Sequence, residues 1–299
     1  MNIIGRRKLW FAISLLVIIP GTISLIIWKL PLGIDFKGGQ ELEVSTTKSQ
    51  NEVKSLVEAN GQKDVTVTTS GEGRLLVRYA TQEGANVEQS YKDLKAKLAE
   101  QGVNEVSYNS IGPAVSRDIA RNAIISIVLA SMAIVLYIAF AFRNAPPPVS
   151  PWSFGAATIA ALLHDALLVI GVFSLLGHFF GIEIDSLFVT AVLTVIGFSV
   201  HDTIVVFDRI RENLRKYNKP FEEIVNMSIL ETFTRSVNTS LTVFITLLAL
   251  FLFGGSSIRL FILALLIGII SGTYSSIFNA APLLVVYNNW KIKRSAKQA

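Results

Sequence analysis

The sequence predicts an integral membrane protein, an all-α bundle of six helices with one small α+β domain outside the membrane. Three observations predict this class. The 299 residues are 51% hydrophobic and only 16% charged, whereas soluble proteins are about 25% charged. Six nearly uncharged stretches approach or exceed the roughly 20 residues that span a bilayer. Residues 30–115, between the first two stretches, are polar and show alternating strand and helix patterns.

Hydropathy and helix-breaking residues define the spans. We predict them at residues 9–29, 118–142, 153–176, 185–207, 236–254 and 258–287. Pro146, Pro147 and Pro148 end the second span, because consecutive prolines cannot continue a helix. The first span resembles a signal peptide but lacks an A-x-A-like cleavage site, so we interpret it as an uncleaved signal anchor.

Lysine and arginine predict the orientation. They cluster before the first span at Arg6, Arg7 and Lys8, and again at 209–219 and 291–297. Because such clusters stay in the cytoplasm, both termini are expected inside and residues 30–115 outside. The predicted organisation is therefore residues 1–29 with the first helix, 30–115 as the outer domain, 116–287 with five helices, and 288–299 as a basic tail.

The outer domain shows the order strand, helix, strand, strand, helix, strand. Strands are predicted at 41–44, 64–69, 74–79 and 103–109, and helices at 51–59 and 87–100. Residues 70–73 (SGEG) indicate a hairpin turn. This order matches the ferredoxin-like motif. The domain has no histidine and no clustered nucleophile and base, so we expect binding or packing rather than enzymatic activity.

Charged residues inside the spans are the sharpest functional signal, because each costs at least about 2.5–3.5 kcal/mol to insert. His164-Asp165 lies in the third span, His201-Asp202 in the fourth, and Arg235 at the start of the fifth. A carboxyl group held in low dielectric can exchange protons near neutral pH. We interpret Asp202 as such a group, and an arginine facing it would be its counter-charge. For His164 and Asp165, a structural polar pair and a proton role stay open.

The last span combines small and hydroxyl residues. Gly268 and Gly272 have the small-xxx-small spacing of closely packed membrane helices, and Ser275 continues this face. Asn279 and Pro282 add polar, irregular backbone that has to be buried in protein. Residues 208–235 mix charges with an apolar stripe, which predicts an interfacial amphipathic helix.

Several functions are disfavoured by composition. The chain has no cysteine and three scattered histidines, so disulfides, thiol chemistry and a metal cluster are not expected. Gly38-Gly39 is not part of a phosphate-binding G-x-x-x-x-G-K-[ST] loop, and we expect no cofactor. The net charge of +5 is explained by topology, so no nucleic-acid partner is predicted.

Four motifs resemble one family along essentially the whole chain. They are GIDFKGG at 33–39, LHD at 163–165, HDTIVVFDRIREN at 201–213 and GIISGTYSSIFNAAPLL at 268–284. The first resembles the GIDFxGG signature of SecF subunits in the SecD/SecF family, whose membrane half is similar to RND (resistance–nodulation–division) transporters. The resemblance implies a subunit of the Sec protein translocase that works with SecD in the bacterial cytoplasmic membrane.

The resemblance also implies roles for particular residues and partners. Proton-motive force would promote late export steps, with Asp202 as the intramembrane carboxylate, Arg235 as its partner and a second carboxylate from SecD. SecYEG, SecA, YajC, the translocating polypeptide and membrane lipid are the further partners it implies. The signature residues are expected to couple helix and outer domain; they are Gly33, Asp35, Phe36, Gly38 and Gly39.

Three other functions remain as alternatives. Half of an RND-type exporter of lipids or small molecules predicts a larger outer region than residues 30–115. A scaffold subunit that transports nothing predicts that Asp202→Asn is silent and that changes at Gly268 or Gly272 disrupt assembly. An intramembrane protease would use two aspartates, but its paired motifs are missing from this sequence.

Overall fold

In the computed structural model, which describes residues 2–69, 73–80 and 87–296, six helical spans are long and apolar enough to cross a membrane, as predicted. The first five are single helices and the sixth is interrupted. They are α1 (Arg7–Trp28), α5 (Pro113–Ala141), α6 (Pro151–Phe180), α7 (Ser186–Lys216), α8 (Phe221–Phe253), and α9 (Ser256–Ser275) followed by α10 (Ala281–Ala296).

The chain forms two compact units. The first contains most of the membrane helices and comprises Met1–Leu30, Ile125–Phe179 and Leu187–Ala299; the second comprises Pro31–Ile124 and Phe180–Ser186. Because the second unit includes Phe180–Ser186, it contains the connection between α6 and α7 as well as the predicted outer domain.

In the first unit, α1 packs on α6 through residues that the sequence analysis did not single out. A Cβ on Gly21 would lie 2.8 Å from the Cα of Gly171, so both glycines are needed for this close approach. One turn further, the hydroxyls of Ser24 and Ser174 lie 2.7 Å apart. The repeated pattern Gly-x-x-Ser in both helices is the sequence signal for this contact.

The last span changes its helical geometry in the middle. Residues Ser276–Ala280 form a π-helical turn between α9 and α10. Asn279 is 4% exposed and accepts a hydrogen bond from the Ser14 hydroxyl at 2.9 Å. The prediction that this polar backbone is buried in protein is confirmed.

The charged ends of α7 and α8 form a helical hairpin. Asn213 on α7 donates to the Ser228 hydroxyl at 3.0 Å and to the Glu231 carboxylate at 2.8 Å. The apolar stripe of α8 is buried, with Ile224 2% and Ile229 0% exposed. A separate interfacial helix over 208–235 is therefore wrong: α7 and α8 both run through this region. Protein covers Ile224, Val225 and Ile229 of the stripe, whereas Leu230 is 39% exposed.

The second unit contains a four-stranded antiparallel sheet. Its strands are β1 (Gly39–Ser45), β2 (Lys63–Thr69), β3 (Leu75–Ala80) and β4 (Asn104–Ile111), in the spatial order β2-β3-β1-β4. Helices α3 (Gln50–Ala59) and α4 (Val87–Glu100) follow β1 and β3.

Alternating apolar residues of the strands form one core with both helices of this unit. Leu42 of β1 and Val77 of β3 pack with Val57 of α3 and Leu98 of α4. The predicted turn at 70–73 falls mainly on residues 70–72, which lie outside the described residues. A one-turn helix, α2 (Ile34–Lys37), precedes β1 and was not predicted.

Candidate functional site

Asp165 of α6 lies in a fully enclosed hydrogen-bond cluster. Its side chain is 0% exposed. The carboxylate accepts hydrogen bonds from the hydroxyls of Ser199 at 2.5 Å, Ser271 at 2.6 Å and Ser275 at 2.6 Å. His164 Nδ1 lies 2.9 Å from the same carboxylate. Both carboxylate oxygens thus have short hydrogen-bond partners.

The hydroxyl donors come from two other helices, which makes Asp165 a junction. Ser199 belongs to α7, and Ser271 and Ser275 belong to α9. Ser271 and Ser275 are four residues apart and therefore share a helix face. One carboxylate thus binds hydroxyls from two further helices, the consecutive α7 and the more distant α9.

Two glycines of α9 let these helices approach. A Cβ on Gly272 would lie 3.0 Å from the Cβ of Ser199, and a Cβ on Gly268 would collide with the side chain of Val195. Gly272 is next to Ser271 in sequence, so this approach places α9 where its hydroxyls reach Asp165. Close approach through small residues is how membrane helices pack without a hydrophobic driving force between them.

Asp202 of α7 is almost as buried but less well partnered. It is 2% exposed. Within the described part of the chain, its carboxyl group has one hydroxyl partner, Ser240 of α8 at 3.2 Å. His201 Nδ1 lies 3.4 Å away, at the weak end of hydrogen-bond distances. The Thr273 hydroxyl donates to Ser240 at 2.6 Å, which extends this contact to α9.

The two histidines differ in exposure as well. The side chain of His201 is 54% exposed, whereas that of His164 is 9% exposed. Among the described residues, the buried Nε2 of His164 has no hydrogen-bond partner. His201 thus gives the Asp202 site access to the surface of the bundle.

Arg235 is not paired with Asp202. Arg235 is exposed on α8. In the described regions, the salt-bridge partner of Asp202 is His201. The structure therefore brings Asp202, His201 and Ser240 together and leaves Arg235 on the surface of the isolated chain.

A further pair of hydroxyls lies beside the Asp165 cluster. Thr203 and Ser276 lie 2.8 Å apart, and both donate to the carbonyl oxygen of Ser199. Ser199 itself donates to Asp165, and Thr203 adjoins Asp202 in sequence. Sequence reasoning missed Ser199 and Ser240; hydroxyls four residues apart on apolar helices, such as Ser199 with Thr203 and Ser236 with Ser240, were the available signal.

The GIDFKGG segment lies in the second unit, beside the α6–α7 connection. The Gly33 N–H donates to the Ile184 carbonyl at 2.8 Å, and a Cβ on Gly33 would lie 2.9 Å from that oxygen. Asp35 Oδ2 accepts a hydrogen bond from the Ser186 N–H at 2.7 Å. The Phe36 N–H bonds back to the Gly33 carbonyl at 3.1 Å.

Two glycines then lead the chain into β1. Gly38 and Gly39 have φ of 77° and 140°, a region that favours glycine. A Cβ on Gly39 would also lie 2.9 Å from the Tyr79 carbonyl oxygen. The double glycine is thus explained by the turn into the sheet.

These features define a class of protein. Among the described residues, no group of three or more His, Cys, Asp or Glu side chains could hold a metal ion. The bundle instead buries ionisable carboxyl groups among hydroxyls within its spans. Such groups in membrane helices mark ion or proton pathways or interhelical contacts, so the fold and site define a multi-pass membrane protein with ionisable groups inside its helix bundle.

Comparison with known proteins identifies the family. The family described as protein export membrane protein SecD/SecF, C-terminal, matches residues 90–290. A protein translocase subunit SecF from Thermobaculum terrenum is 48% identical, over 97% of this chain and 94% of that protein. The chain belongs to the SecD/SecF family.

Longer relatives have one region that is similar to this chain. The protein translocase subunit SecDF of Bacillus subtilis is 34% identical over 98% of this chain, which covers 39% of that protein. The crystal structure of SecDF from Thermus thermophilus, a translocon-associated membrane protein, matches with a TM-score of 0.85 and 32% identity. The match covers 97% of this chain and 39% of that one.

Proposed function

We propose that this chain is an accessory subunit of the Sec translocase which, together with SecD, uses the proton-motive force to promote late steps of protein export. Its family membership supports a role in protein export. SecDF relatives join a matching region to a longer chain, which supports SecD as the partner. SecYEG, SecA, YajC and the exported polypeptide are the further partners of this proposal.

One observation carries the proton part of the proposal: Asp202 is 2% exposed in an apolar span, yet has few hydrogen-bond partners. A carboxyl group in such a place can gain or lose a proton without breaking a tight network. His201, which is half-exposed, supplies the nearest titratable neighbour. Asp165 and His164 have the opposite character, and we assign them a supporting role at the junction of α6, α7 and α9.

Arg235 belongs to the same proposal through the partner subunit. It is exposed on α8, so a docked subunit can reach its guanidinium group. SecD supplies the second carboxylate in this scheme, so docking would bring negative charge near Arg235. The arginine would then respond to the protonation state of the carboxyl groups around it.

The outer domain would move with the proton cycle and contact the emerging polypeptide. We propose that it is ferredoxin-like, which its alternating order of strands and helices and the sheet order β2-β3-β1-β4 support. In this scheme the bundle lies in the bacterial cytoplasmic membrane with both termini inside. Arg209, Arg215 and Lys216 at the far end of α7 support that orientation.

Pulse-chase of a secreted precursor tests this function, in cells whose single copy of the gene carries Asp202→Asn. We expect slow maturation at normal protein abundance, because the amide cannot carry a proton. Asp208→Asn is the matched control, since Asp208 lies on the same helix with a 56% exposed side chain. Equal maturation in Asp202→Asn, Asp208→Asn and the unchanged protein would favour the scaffold alternative instead.

A further inference from the structure

The segment that leads into the sheet is attached to the start of the helix that carries Asp202. The Ile184 N–H donates to the Pro31 carbonyl and the Gly33 N–H donates to the Ile184 carbonyl, both at 2.8 Å. Leu32 and Ile184 thereby form an isolated parallel β-bridge. These contacts hold residues 31–33 beside the last residues before α7.

Asp35 adds a contact to α7 itself. Its carboxylate accepts a hydrogen bond from the backbone N–H of Ser186 at 2.7 Å, and Ser186 is the first residue of α7. The first amides of a helix lack partners within the helix, and negative charge is favourable at that end. Asp35 therefore stabilises the start of α7 from a distant part of the chain.

An ion-pair network ties the same connection to the sheet. Arg78 of β3 contacts Glu41 of β1 at 2.6 Å and Glu183 at 2.9 Å. All three side chains are less than 20% exposed, at 19%, 19% and 18%. Glu183 lies three residues before Ser186, so the connection is held on both sides of Ile184.

From these contacts we propose that Asp35 is a positioning residue, which couples the outer domain to α7 and through α7 to Asp202. The joint, defined here as residues 31–35 with 183–186, makes the domain and the start of α7 move together. Coupling thus passes through α7 in addition to the direct chain connection from α1 to the domain. The inference rests on the proposed function in one respect: protonation of Asp202 supplies the movement.

Cysteine probes can test this coupling, because the chain has no cysteine of its own. One protein carries Thr190→Cys, exposed on the second turn of α7, and another carries Val106→Cys on β4, where Val106 is 47% exposed. Each is co-expressed in cells with cysteine-free SecD, and right-side-out vesicles are prepared from these cells. Maleimide labelling rates are measured with and without an imposed proton gradient, and we expect the gradient to change both rates.

The variants then separate coupling from stability. Asp35→Ala should leave the response at Thr190→Cys intact and reduce the response at Val106→Cys about fivefold, the factor that corresponds to loss of a typical helix cap. Asp35→Asn retains an acceptor oxygen and should restore most of that response. Lys37→Ala, exposed in the same short helix, is the control without effect. If Asp35→Ala does not accumulate, Glu183→Gln should weaken the same response to a smaller extent.

An unchanged Val106→Cys response in Asp35→Ala, or equal losses at both probes, would overturn the inference. The proposed function fails in a different way. In that case Asp202→Asn leaves both gradient responses intact, whatever Asp35→Ala does. If Asp202→Asn abolishes both responses while Asp35→Ala abolishes neither, the coupling role alone is wrong.

Discussion

Asp165 and Asp202 are both almost fully buried in the helix bundle, and each follows a histidine, yet their surroundings differ. Asp165 has short hydrogen bonds from hydroxyls of α7 and α9, whereas Asp202 has a single longer one from α8 among the described residues. The neighbouring histidine is buried at the first site and half-exposed at the second. Two similar dipeptides are therefore suited to different tasks.

The difference teaches that burial alone does not distinguish two carboxyl groups, because their hydrogen-bond partners can differ. Satisfied buried hydrogen bonds rigidify a structure. Both carboxylate oxygens of Asp165 accept short hydrogen bonds from hydroxyls, although the Nε2 of His164 has no partner among the described residues. The carboxylate of Asp202 has a single hydroxyl partner there. Loss of the first group should therefore damage the fold, and loss of the second should damage activity.

The largest loss of stability is expected when the hydrogen-bond network of Asp165 is broken. Asp165→Leu removes the acceptor of the Ser199 and Ser271 hydroxyls and leaves them buried without it, whereas the Ser275 hydroxyl keeps the Gly272 carbonyl as an acceptor. Each unsatisfied buried group costs about 1–3 kcal/mol, so we expect a loss of at least about 2 kcal/mol in the free energy of unfolding. Protein abundance and thermal unfolding of the purified complex would measure it. Wild-type thermal stability in this variant would mean that the junction is dispensable.

An intermediate effect is expected where α9 approaches α7. Gly268→Ala places a methyl group against the side chain of Val195, and such overpacking costs about 1–3 kcal/mol. Gly197→Ala is the matched control on α7, since a Cβ there meets no described atom within 4 Å. Thermal unfolding of both variants would show the difference, and equal melting temperatures would argue against a tight α7–α9 contact.

The smallest effect on stability is expected at the hydroxyl beside Asp202. Ser240→Ala removes the 3.2 Å hydrogen bond to Asp202, and loss of one typical hydrogen bond costs about 0.5–1.5 kcal/mol. Because Asp202 then loses its hydroxyl partner, the pH at which export is half-maximal should shift. Export rates across a pH series would detect the shift, with Thr246→Ala, exposed on the same helix, as the control. An identical pH profile in Ser240→Ala would remove this hydroxyl from the site.

Much of the fold follows from the sequence because each span is visible in the local hydropathy. Hydropathy and breakers located all six spans, and alternation located the strands of the second unit. Residues such as Asn279 could even be predicted as buried, because polar backbone in a membrane needs protein around it. The short helix Ile34–Lys37 and the π-helical turn Ser276–Ala280 were missed, since neither changes hydropathy.

The site was less predictable because its contacts join distant residues. Asp165 and Ser275 are 110 positions apart, and no local pattern shows that they meet. The distinction between His164-Asp165 and His201-Asp202 depends on which helices pack against each one. Similarly, the contact of Asp35 with Ser186 requires a backbone bridge between segments 151 positions apart.

The most direct test of the central claim compares the two conservative variants Asp165→Asn and Asp202→Asn side by side. Both are measured for thermal unfolding of the purified complex and for export rate in cells at matched abundance. We predict that Asp165→Asn lowers the melting temperature clearly, and that Asp202→Asn leaves it nearly unchanged while slowing export. A stable Asp165→Asn protein, or an Asp202→Asn protein that unfolds early or exports normally, would contradict the division of tasks between the two aspartates.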